Sequence, residues 1–210
     1  VNRDTLTSSP HLEIFKRKGL EVLYLFDPID EFVMDGIRKY KEFDLKSVEQ
    51  ADLSVIDKFA DQEERKAVEA LDAEDEKSFD KLLRRMKDIL GKRVTDVKES
   101  KRLTDSPACL INPDGTMTSS MQKIMRVMNK DTSIPARLME INRDHPLVRN
   151  LLRIYKTDVQ DEHLSLVTEQ LYESALLMDG YLEDAHEMIN RIENLMERST
   201  EWYVNQLKTE

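Results

Sequence analysis

The chain is poor in the residues that punctuate or staple small folds: 210 residues hold one cysteine, five glycines, six prolines and one tryptophan. The single thiol, Cys109, excludes an internal disulfide and fits a reducing compartment. So little glycine and proline argues against a turn-rich all-β fold and leaves little material for a phosphate-cradling loop. No apolar run approaches the length needed to span a bilayer, and the first residues lack a signal-peptide pattern, so a cytoplasmic location is expected. Positive charge is also short. Lysine and arginine total 32 against 42 aspartates and glutamates, a formal charge of −10, which would repel a phosphate backbone or an anionic membrane. Neither nucleic acid nor membrane is an expected partner.

What the chain does have is helix-period apolar spacing, densest at its end. Leu164, Val167, Leu171, Ala175 and Met178 recur at three- and four-residue steps, with Leu166, Leu176 and Leu177 widening the stripe. After Gly180 a second helix repeats the pattern through Met188, Ile189, Ile192, Leu195, Met196, Tyr203 and Leu207. A terminal helical hairpin that is apolar on more than one side wants a partner pair. Two copies would close a four-helix bundle.

Upstream, three stretches follow from local signals. In the first, up to about Lys46, Ser9-Pro10 opens a helix that Gly19 stops, Glu21-Val-Leu-Tyr-Leu-Phe26 reads as a buried strand, and Asp27-Pro28 starts a second helix. One strand has no sheet, so this unit reads as the tail of a domain that begins upstream. The second, roughly 57–88, is charge-dense and reads as a solvated helical connector. The third is α+β: Val94–Val97, Ala108–Ile111 and Arg137–Ile141 read as strands, with a turn at Asn112–Gly115 and a helix opening at His145-Pro146. The whole is an α+β chain, with a division expected between 1–72 and 73–210.

Met117, Met121, Met125 and Met128, with Ile124, share one side of a short helix. Methionine is flexible and polarizable, so such a face suits varied apolar partners when exposed; ordinary core is the other reading. Catalytic signals are nearly absent. His11, His145, His163 and His186 are dispersed without metal-ligand spacing, and Cys109 sits in an apolar strand. No enzyme activity, metal or cofactor is expected of this chain, and a small carboxylate hydrolase is the remote alternative.

Four collinear segments carry a family resemblance. Ser9-Pro-His-Leu-Glu-Ile-Phe-Lys-Arg-Lys-Gly19 and Glu21–Phe32 resemble the end of the middle domain of the heat-shock-protein-90 chaperones, nearest the bacterial HtpG type. Arg102-Leu-Thr-Asp-Ser-Pro-Ala108 and Glu140-Ile-Asn-Arg-Asp-His-Pro-Leu-Val148 resemble signatures of that family's C-terminal dimerisation domain. The resemblance implies a clamp driven by ATP and magnesium held in an N-terminal domain, with the γ-phosphate-contacting arginine also upstream of Val1. It implies a homodimer through the last two helices, whose interface would use Leu164, Val167, Leu171, Ala175, Met178, Met188, Ile189, Ile192, Leu195 and Met196. It also implies contact with partly folded client proteins at Met117, Met121, Ile124, Met125 and Met128, which favours exposure of that face, and at Glu31 and Phe32. At the last position a bulkier tryptophan is common in bacterial relatives, and a buried Phe32 with an N-terminal-turn Glu31 is the competing reading. The tail that recruits tetratricopeptide-repeat co-chaperones has no counterpart in Trp202–Glu210, so those partners are not expected if Glu210 is the natural end. A purely structural dimerisation module is the alternative function.

Overall fold

Local signals at the start of the chain act where the sequence places them, with one exception. In a computed structural model, residues 6–51, 53–62, 70–113, 117–130, 133–182 and 184–208 are described. A 3-10 turn, Pro10–Leu12, runs into helix α1 (Glu13–Arg17), and Gly19 takes the positive φ that ends it. Helix α2 (Pro28–Ile37) opens on a reciprocal cap: Asp30 Oδ2 accepts from the amides of Phe26 and Asp27 at 3.2 and 3.1 Å. The expected strand at 21–26 is absent. The segment is irregular and pairs with no strand among the described residues; Val22 packs on a small core of Ile14, Phe15 and Ile56 while Leu23, Leu25 and Phe26 stay exposed. Apolar character alone does not make a strand, because its amides need a neighbour to pair with. A two-residue-per-strand hairpin follows instead, β1 (Lys39–Tyr40) and β2 (Phe43–Asp44), then α3 (Leu53–Ile56).

The connector reading is also corrected from Ala73 onward, while residues 63–69 of that stretch lie outside the described residues. Helix α4 (Ala73–Leu90) is capped by Asp72, whose carboxylate accepts from the amides of Glu74 and Asp75 at 2.9 and 2.7 Å. Its charges are solvated, but Phe79, Leu82, Leu83, Met86 and Leu90 form one buried stripe. The helix is a core element rather than a spacer.

The three strands of the third stretch form as read: β3 (Val94–Glu99), β4 (Ala108–Ile111) and β5 (Arg137–Ile141). β5 lies in the middle, parallel to β3 and antiparallel to β4. Side-chain alternation splits the sheet into two faces. Val94, Val97, Ala108, Leu110, Met139 and Ile141 join the main core, while Cys109, Ile111 and Leu138 pack with Leu103 behind it. Between β4 and β5 lies α5 (Ser119–Asn129); after β5 come α6 (Pro146–Thr157), α7 (Glu162–Met178) and α8 (His186–Leu207). His145 caps α6 through Nδ1, which accepts from the Leu147 amide at 3.2 Å. The main core is closed over the sheet by α4, α6 and α7.

Candidate functional site

The short Met-bearing helix α5 is fixed at its first turn and bare at its last. Thr118 Oγ1 accepts from the Met121 amide at 3.2 Å and donates to Glu31 Oε2 at 2.9 Å, joining α5 to α2. Glu49 Oε2 accepts from the Ser119 amide at 2.9 Å and from Asn112 Nδ2 at 3.2 Å. The same Asn112 nitrogen reaches Ser119 Oγ at 3.1 Å. Asp114 and Gly115 of the expected turn lie outside the described residues.

From that anchor the helix presents its apolar side unevenly. Met121, Ile124 and Met125 are half-buried and Met117 is exposed, while Met128 and Val127 are 69 and 80% exposed. Val127 was invisible to the methionine spacing, since it lies one residue off the stripe. Neither Thr118 nor Glu49 carries a sequence signal for this role, because each acts through a contact remote along the chain.

Helix α2 stands beside α5 and buries none of its residues. Phe32 is 48% exposed, with Ile29, Val33 and Ile37 also bare, so the buried reading of Phe32 does not hold. Half-buried Glu31 is the residue that bonds α5. The two surfaces expected separately are therefore neighbours, bridged by Glu31 and Thr118.

The terminal hairpin divides differently from expectation. Leu164, Val167, Leu171 and Ala175 are buried in the chain's own core, as is Met188, so these five are not open to a second copy. The reason is that α7 lies across α4 and β4, which consume its stripe. Ile192 and Leu195 are half-buried; Met178, Ile189 and Met196 are exposed. Leu177, Trp202, Tyr203, Val204 and Leu207 extend the bare apolar surface.

The first segment is tied to the back of the sheet by the 102–108 loop. The Glu13 carboxylate accepts from the amides of Thr104, Asp105 and Ser106 at 2.6, 2.9 and 3.1 Å. Arg102 pairs with Glu140 at 3.0 Å, both nearly fully buried, and Ser100 Oγ donates to the same oxygen at 2.7 Å. Burial pushes the Cys109 thiol well up, which keeps it protonated and unreactive. Among the described residues, no group of three or more His, Cys, Asp or Glu side chains could hold a metal ion, and no helix is long and apolar enough to cross a membrane.

The family described as Hsp90 protein matches residues 1–210. The chain belongs to the Hsp90 family. It is similar to the chaperone protein HtpG of Oleidesulfovibrio alaskensis, 54% identical over 202 residues, covering 96% of this chain and 32% of that protein. HtpG of Nitratidesulfovibrio vulgaris is 45% identical over 201 residues, again 96% and 32%. HtpG of Geobacter metallireducens is 38% identical over 180 residues, covering 86% and 27%. This Hsp90-family chain thus spans about a third of the length of these relatives. Its 102–108 and 140–148 segments, which carried the resemblance, meet in the buried Arg102–Glu140 pair.

Proposed function

We propose that this chain is the end of the middle domain (1–72) and the C-terminal dimerisation domain (73–210) of an HtpG-type molecular chaperone. In this reading α8, with the exposed end of α7, joins two copies, and α2 with α5 offers an apolar surface to partly folded client proteins. ATP and magnesium belong to a part of the protein outside this chain, whose five glycines leave little material for a phosphate loop. The chain's own contribution is then mechanical: it tethers two arms and raises their effective concentration for each other.

The observation that carries the client reading is the adjacency of the exposed faces of α2 and α5 across the Glu31–Thr118 hydrogen bond. Exposed Phe32, Val127 and Met128 can hold apolar segments weakly and with little sequence preference. Val127→Glu with Met128→Glu should weaken capture of a permanently unfolded, carboxymethylated protein about tenfold, with mass and melting temperature unchanged. Unchanged capture would leave only the structural dimerisation module.

A further inference from the structure

Tyr181 is a 1% exposed tyrosine whose hydroxyl donates to the Ser119 carbonyl, in the first turn of α5, at 3.1 Å. It is delivered there by the end of α7. The Gly180 amide donates to Leu177 O at 3.0 Å and the Tyr181 amide to Leu176 O at 2.9 Å, a paired helix stop that needs the positive φ of Gly180. The chain is thereby folded back, and the ring enters the body instead of continuing the helix axis.

Three cations surround that ring. Arg137 stacks at 3.9 Å from its centroid, and Lys123 and Arg126, both on α5, lie at 5.3 and 5.1 Å. Arg137 also pairs with Asp179 at 2.7 Å, the residue that ends α7, and His11 Nε2 lies 3.6 Å from the same carboxylate. Arg137 is almost completely buried, its Nε and Nη2 make no hydrogen bond among the described residues, and the Tyr181 ring stacks on the same guanidinium.

We infer that Tyr181 is a positioning residue that pins the Met-bearing helix α5 to the α7–α8 turn, so that the placement of the client-facing helix and of the terminal hairpin share one anchor. This rests on the proposed client role of α5, but the anchor itself is read from α5 without any client. Its hydroxyl holds the backbone of α5 at Ser119, and its ring holds the side chains of Lys123 and Arg126.

Amide hydrogen exchange on the full 210-residue chain tests it. Tyr181→Phe keeps the ring and removes the hydroxyl; the amides of 119–129 should exchange about fivefold faster, with α4 and α7 unchanged. Lys123→Met should speed the same amides about threefold in the native background and add nothing in Tyr181→Leu, because the ring it acts on is gone. Unchanged α5 exchange in the Phe variant overturns the inference, as does acceleration spread equally over α4 and α7, or an equal effect of Lys123→Met in both backgrounds. Should the Leu variant fail to fold, the Phe variant decides alone. Faster α5 exchange with unaltered unfolded-protein capture would uphold the anchor and reject the client role of α5 instead.

Discussion

The last two helices carry the same kind of apolar stripe, yet one is consumed by its own chain and the other is left bare. α7 buries Leu164, Val167, Thr168, Leu171, Tyr172, Ala175 and Leu176; α8, five residues longer, buries only Met188. The difference is one of neighbours rather than of sequence. α7 lies against α4, α6, β4 and α8, whereas the main neighbour of α8 among the described residues is α7. A helical stripe therefore announces that burial is needed without saying where it comes from, and in the terminal hairpin it is α8, with the exposed end of α7, that keeps bare apolar surface.

Truncation should separate the two helices by the largest effect. A chain ending at Asp158 lacks α7 and opens the main core, so it should lose cooperative unfolding in circular dichroism altogether. A chain ending at Leu182 keeps α7 and Tyr181 and should still unfold cooperatively. Single substitutions sharpen the same contrast. Leu164→Ala or Leu171→Ala should cost about 2–5 kcal/mol in denaturant unfolding, with a cavity left against the sheet. Met196→Ala or Trp202→Ala should stay within about 0.5 kcal/mol at concentrations where copies are separate. Comparable losses in both helices would show that α8 is packed as α7 is.

The smallest effects have opposite pH signs at the first turns of α6 and α8. Burial holds the His145 imidazole below its ordinary value near 6.5, and its Nδ1 must stay unprotonated to cap α6. Its contribution is complete above that value and is lost as pH falls, because the unfolded chain takes the proton first. At the start of α8, His186 is raised by its hydrogen bond to Asp184, with the carboxylate's charge adding to the shift. That pair contributes most below the ordinary histidine value and fades as pH rises through the raised one. Amide exchange, corrected for its intrinsic pH dependence, should show the first turn of α6 less protected at pH 5.5 than at pH 8, and the first turn of α8 more protected. The same sign at both ends would contradict this assignment.

Much of the fold was legible because its signals are local. Ser9-Pro10, Asp27-Pro28 and His145-Pro146 open helices, and the three strands around Met139 follow from apolar runs between turn residues. The misreadings share one cause, which is pairing at a distance. Glu21–Phe26 has strand composition but no strand beside it among the described residues. The charged surface of α4 masked a five-residue buried stripe, since the charges outnumber the apolar positions. At the candidate site, the Met-bearing helix was visible from spacing, but the roles of Thr118, Glu49 and Tyr181 depend on partners far away in sequence. Client contact at α2 and α5 is what the family resemblance implies, whereas the spacing of the last two helices by itself calls for a partner pair.

Association through α8, with the exposed end of α7, is the proposed role of the terminal hairpin. Light scattering across a range of concentrations, on the native chain and on Ile189→Glu with Met196→Glu, tests it most directly. The native chain should be a dimer and the variant a monomer, with the unfolding transition of the sheet core unchanged. A native chain that stays monomeric at every concentration, or a variant that stays dimeric, would contradict it.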